Sequence, residues 1–189
     1  MDAELQKKPA AKKKKSGEDA YDFMESLVTA LIACILIFLF LFRLVNVDGS
    51  SMLPTLHNAD KVVVSRLTRN YDPGDIVVLT KASFRGGNES IVKRVVATEG
   101  QTIDIDFGAG IVYVDGEALE EPYIAEKTTR SLDFKGPVTV PENCIFCMGD
   151  NRNNSSDSRA ASIGMIDSRC VIGKVILRVW PLNKLGTVG

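Results

Sequence analysis

A nearly unbroken apolar run from Leu27 to Phe42 constrains this chain more than any other feature. Extended past Arg43 through Leu44-Val45, it approaches the roughly 20 residues that cross a bilayer core. Arg43 can carry its guanidinium out to the interface. Ahead of the run stand Lys7, Lys8 and Lys12 to Lys15. A cluster of this sign stays on the cytoplasmic side, so the pattern predicts a single-pass anchor over residues 25–46, an amino terminus in the cytoplasm and an extracytoplasmic remainder. A basic stretch followed by an apolar one is also the pattern of a removable secretory signal. Against that reading, the run is long and no small-x-small cleavage sequence follows it between Arg43 and Ser51.

Residues 1–24 hold too little apolar surface to fold alone and are expected to form a disordered basic tail. Residues 47–189 suffice for one domain with its own core but not for a second large one. The formal net charge is −1, and no basic stripe interleaved with aromatics is found in this part, which argues against nucleic acid as a partner.

Short β-branched runs dominate the domain: 61–66, 75–80, 90–97, 102–106, 110–114, 144–148 and 171–179. Turn signals separate them, at Asp72-Pro73-Gly74-Asp75, Gly86-Gly87-Asn88 and Asp115-Gly116. The last predicts a tight hairpin joining Ile111–Val114 to Glu117–Leu119. The expected fold is mainly β, with a small β insertion at about residues 101–137.

Three stretches carry chemistry. The first is Asp48-Gly49-Ser50-Ser51-Met52-Leu53-Pro54-Thr55. At ~3.3–3.6 Å per extended residue, the chain from Phe42 can lift Ser51 at most ~30 Å above the apolar run, so any reaction there stays close to the membrane. The second is Ile91-Val92-Lys93-Arg94-Val95-Val96. A serine hydroxyl becomes a good nucleophile only when a base takes its proton, and a lysine serves as that base only when its amine is neutral. Strand alternation places Ile91, Lys93 and Val95 on one face, among apolar groups, and desolvation disfavours an ammonium. Arg94 points the other way, better suited to pairing with acids. The bland alternative for Lys93 is a lysine blunting an edge strand. The third stretch is Met148 to Arg159, a polar run after a strand, rich in side chains that rigidify loops. As a calcium loop it fails: Asp150 and Asp157 are its only carboxylates, and Arg152 and Arg159 repel a cation.

These three stretches, in this order, resemble the bacterial type I signal peptidases of the compact single-anchor, Gram-positive form. The resemblance covers nearly everything after the tail. It implies a membrane-bound serine endopeptidase that removes signal peptides from secretory preproteins beside the export translocon, cutting after small-x-small sequences, with no cofactor and no metal. It makes Ser51, which Met52 follows, the nucleophile and Lys93 the general base. Ser155 is expected to hydrogen-bond the lysine amine, and Asp157 with Arg159 and Asp150 with Arg152 to form supporting ion pairs. Substrate is expected to add as a strand along residues 45–49 and Ser90 to Val92, with Val47, Gly49, Met52, Ser90, Ile91 and Val92 as contacts. Where some Gram-negative members place a hydroxyl two residues before the nucleophile, this chain has Gly49, which leaves the second oxyanion donor open.

The cysteines say less. Cys144 and Cys147 form a C-x-x-C, but three residues along a strand face opposite ways, and with His57 the only histidine, zinc is a poor reading. Cys147 and Cys170 can pair only if their strands are neighbours. His57 is read as a polar loop residue. Endoplasmic-reticulum relatives use a histidine where this chain has Lys93, so their mechanism is disfavoured. Self-cleaving repressors share the serine and lysine, but they carry a DNA-binding domain and no anchor. A membrane-anchored binding protein without catalysis is the non-enzyme alternative, and an intact dyad disfavours it.

Overall fold

The computed structural model describes residues 16–80 and 90–188. The lysines of the tail and the turn expected at Gly86-Gly87-Asn88 lie outside them. The chain divides into two units, Met1–Phe40 and Leu41–Gly189. In the first, helix α1 covers Ser16–Leu41. Its segment Asp19–Leu41 has a mean hydropathy of 2.5 and is long and apolar enough to cross a membrane.

Both helix boundaries correct the sequence reading. The helix starts at Ser16, inside the expected tail, and stops at Leu41, short of the expected end at residue 46. Residues Phe42–Asn46 form strand β1 instead, paired antiparallel with β2 (Lys61–Ser65) so that Phe42 faces Ser65 and Asn46 faces Lys61. Leu44 and Val45 suit a strand as well as a membrane helix, and composition does not separate the two where one follows the other.

The second unit is built from strands, as expected. After β2 come β3 (Ile76–Thr80), β4 (Ser90–Thr98), β5 (Thr102–Asp106), β6 (Ile111–Val114), β7 (Glu117–Ala118), β8 (Val138–Thr139), β9 (Cys144–Met148), β10 (Ile166–Asp167) and β11 (Val171–Trp180). Among the described residues they form two sheets, in the orders β1-β2-β11-β3-β4-β9-β10 and β7-β6-β5-β8. The second sheet runs from Thr102 to Thr139, between β4 and β9 in the chain. The hairpin forms where Asp115-Gly116 predicted it: φ is +54° and +84° at these residues, as a two-residue turn of the tight type requires. Asp115 also accepts the Thr102 N–H through Oδ1 at 2.7 Å, which ties the turn to β5.

Both faces of the first sheet are covered, and β3 and β4 are therefore buried almost throughout. Val62, Val64, Val78 and Val92 pack on one side with Met52 and Leu56. Val77, Leu79 and Val95 pack on the other with Cys147 and Ile163, and with the half-buried Ile91. A third cluster joins the sheets, Val96, Phe146 and Met148 meeting Ile103, Ile105 and Val112. There Phe134 stands edge-on to Phe146, with ring centroids 5.7 Å apart.

Candidate active site

Lys93 lies on β4 opposite Val77 of β3, one residue before the pairing with β9 begins at Arg94, and its burial removes the explanation of a lysine blunting an exposed edge. It is 3% exposed. Its Nζ donates to Ser51 Oγ at 2.8 Å and to the Val92 carbonyl at 3.1 Å. Ser51 reaches it from the turn that follows β1, where Leu53 N–H bonds Ser50 O and Leu56 N–H bonds Met52 O. Met52 and Leu56 sink into the core and fix that turn.

The loop after β9 braces the same turn. Asn151 N–H donates to Ser51 O at 3.0 Å, Asn151 Nδ2 donates to Ser50 O at 3.0 Å, and Asn154 Nδ2 donates to Ser50 Oγ at 3.1 Å. Gly149 makes the approach possible, because a Cβ there would collide with the Ser51 carbonyl and Ser155 Oγ. No feature of single residues marked the two asparagines beyond their place in a polar loop. Their role depends on a contact about a hundred residues away in the chain.

The buried charges of the loop are held by forks. Asp157 and Arg159 form the expected pair, Nε to Oδ1 at 2.8 Å and Nη2 to Oδ2 at 2.9 Å, and Arg159 also donates to the Arg130 carbonyl at 2.8 Å. Burial alone would raise the Asp157 carboxyl. The Arg159 guanidinium and the Gly149 N–H outweigh it and hold this group below the usual carboxylate range. The expected Asp150–Arg152 pair is not made. Asp150 instead receives Arg94 Nε and Nη2 at 2.9 and 2.8 Å and Thr55 Oγ1 at 2.5 Å. Arg152 pairs with Glu121, on the insertion that carries the second sheet, and donates to Thr128 Oγ1 at 3.1 Å. Unlike Asp157 and Arg159, these two side chains diverge: Asp150 takes its guanidinium from β4 and Arg152 finds its carboxylate on the insertion. Arg94 also lies 4.0 Å above the Tyr123 ring. Burial, then the Glu121 carboxylate, push the Tyr123 phenol up to about 12.

Ser155 gives a second correction. Its Oγ is buried and, among the described residues, makes no hydrogen bond to Lys93; it packs against Gly149 and lies on the side of Asp157, whose carboxyl it helps to hold low. The substrate contacts divide. Gly49, Ser90, Ile91 and Val92 line one cleft of about 460 Å3 with Ser51, Lys93 and Ser155. Val47 and Met52 are buried in the core and do not line it. In the cleft, β9 pairs with β4 only from Arg94 onward, leaving Ser90 to Val92 beyond it; Asp48 and Gly49, which also line the cleft, follow β1, an edge of its sheet. Gly49 sits at φ +87° with nothing within 4 Å of an added Cβ, so conformation and not space calls for glycine there.

All four cysteines are free thiols, Cys147 and Cys170 included. Those two share one apolar cluster, where burial pushes the Cys147 thiol up.

Known proteins resemble the chain over most of its length. The model of the family described as signal peptidase, peptidase S26, matches residues 20–180. A probable signal peptidase I-1 of Synechocystis is 35% identical over 86% of this chain and 84% of its own. Signal peptidase I S of Bacillus subtilis is 34% identical over 87% and 91%. A crystal structure of a signal peptidase I from Enterococcus faecalis is 28% identical, covering 56% of this chain and 96% of that one at a TM-score of 0.46. With the family model spanning both the serine turn and the lysine strand, and relatives aligned nearly end to end, the chain belongs to the signal peptidase family, peptidase S26, as a protease of the type I signal peptidase class.

Proposed function

We propose that Ser51 and Lys93 form the catalytic dyad of this peptidase and that it removes signal peptides from exported preproteins after small-x-small sequences. The observation that carries the reading is the 2.8 Å hydrogen bond between Lys93 Nζ and Ser51 Oγ at a buried lysine. Burial disfavours an ammonium and so favours the neutral amine a base must be. Lys93 takes the proton from Ser51 Oγ as the oxygen attacks the scissile carbonyl carbon. The Ser51 N–H stands ready for the developing oxyanion. As the carbon–nitrogen bond breaks, Lys93 returns the proton to the leaving amine, which is the new amino terminus of the mature protein. A water, deprotonated by the same amine, then attacks the acyl-enzyme ester and frees Ser51.

Substrate adds as an extended strand along the open edges at residues 45–49 and Ser90 to Val92, its main chain supplying affinity and shallow pockets admitting only small side chains. α1 spans the membrane with its amino terminus in the cytoplasm, which places the dyad outside, beside the translocon that delivers preproteins. Mapping the new amino terminus after incubating the purified protein with a preprotein tests this. Cleavage is expected directly after an Ala-x-Ala sequence and is expected to stop when the second alanine becomes phenylalanine. Cleavage indifferent to that change would remove the proposed specificity.

A further inference from the structure

A second cleft, of about 680 Å3, opens at one end of the first sheet, and its described lining includes Arg43, Arg66, Arg69 and Arg169 but no carboxylate. The antiparallel order gathers these residues. Arg43 lies at the start of β1, Arg66 follows the end of β2, and Arg169 precedes the start of β11, all at the same end of the sheet. Arg169 is engaged by Asp167 at 2.6 Å. Arg43, Arg66 and Arg69 are exposed and make no ion pair among the described residues. Like charges gathered in this way repel one another until an anion joins them, and guanidinium forks match the oxygens of a phosphate.

Chain length sets where this cleft can be. Arg43 follows the last residue of the apolar helix by two positions, so it stays within about 7 Å of it. Exposed leucines accompany the arginines in sequence, Leu44 at 58% and Leu67 at 63%, a pairing of apolar and cationic groups that suits a headgroup boundary. We propose that this cleft binds the phosphate of an anionic phospholipid in the leaflet that the catalytic domain faces. Ser90 lines both clefts. A lipid held here therefore fixes the start of β4, and with it the open edge at Ser90 to Val92, at a set height on the membrane.

Native mass spectrometry of the full-length protein in neutral detergent, offered phosphatidylglycerol and phosphatidylcholine in equal amounts, tests this without reference to cleavage. Wild type is expected to retain phosphatidylglycerol preferentially. The triple variant Arg43→Gln, Arg66→Gln, Arg69→Gln should lose roughly fivefold in affinity for each charge removed, with phosphatidylcholine unaffected. A control of equal charge change, Lys127→Gln, Lys135→Gln, Lys184→Gln, should bind as wild type does. Both triple variants should still cleave a preprotein in neutral detergent at the wild-type rate, which separates lost binding from lost folding. Should the arginine triple variant fail to fold, Arg69→Gln alone should show the fivefold loss. Equal phosphatidylglycerol binding by wild type and the arginine variants would overturn the proposal. Displacement of the lipid by millimolar inorganic phosphate would also overturn it, by making the cleft a site for a soluble anion.

Discussion

The two faces of β4 bury neighbouring basic side chains in different settings. Lys93 and Arg94 are 3% and 2% exposed, and each enters the low-dielectric interior that makes a charge costly. On one face, Lys93 meets the hydroxyl of a turn and a carbonyl of its own strand. On the other, Arg94 is clasped by both oxygens of Asp150, by the Gly74 carbonyl and by the Tyr123 ring. On the proposed function the lysine face does chemistry, while the arginine face fixes the loop that holds the serine turn in place. Changes on the first should remove activity from a folded protein, while changes on the second should lower stability.

The largest expected effect is at the serine turn. Ser51→Ala should lower kcat/KM on a preprotein by several orders of magnitude with little change in thermal midpoint, since a nucleophile has no substitute. Ser50→Ala, which loses only the Asn154 contact, should stay within about tenfold of wild type, as befits one neutral hydrogen bond of about 1 kcal/mol. The reverse outcome would move the nucleophile to Ser50.

Arg94→Met should cost about 3–5 kcal/mol in a denaturant titration, because Asp150 is left buried without its counter-charge. A loss under 1 kcal/mol would show that Thr55 alone satisfies Asp150, and would dissolve the contrast between the two faces.

Acid should act through the same scaffold. Asp157 has a folded-state pKa below its reference of 3.8, so its contribution to stability is present above 3.8 and fades as pH falls towards the folded value. Thermal midpoints measured from pH 6 down to 2 should drop more steeply for wild type than for Asp157→Asn, which starts less stable. Parallel curves would remove Asp157 from the acid response.

Gly49→Ser should have the smallest effect. The hydroxyl has room, but φ +87° penalises a side chain by roughly 1–2 kcal/mol. Turnover should stay within tenfold of wild type. A hundredfold rise would show that the native oxyanion site lacks a donor.

Local patterns made much of this legible. Ser51, Lys93 and the Gly149–Arg159 loop, which the structure brings together, stand out in the sequence because reactive groups sit beside diagnostic neighbours, and β5, β6 and β9 because β-branched runs end at turn residues. β1 was hidden by the apolar run it continues. The Asp150–Arg152 error has a related cause. Sequence offers the nearest opposite charge, whereas the buried fork came from Arg94, 56 positions away. An arginine within an apolar strand was itself the signal that a carboxylate had to be found for it. Glu121, which meets Arg152 from the insertion, carried no such sign.

The dyad is tested most directly by kcat/KM on one preprotein for Lys93→Arg, Ser51→Ala and the two combined. If Lys93 is the base for Ser51, the arginine variant loses as much as the alanine variant, because a guanidinium keeps its proton. The double variant then loses no more than either, since the two groups act as a unit. Lys93→Arg turning over within tenfold of wild type would contradict the account.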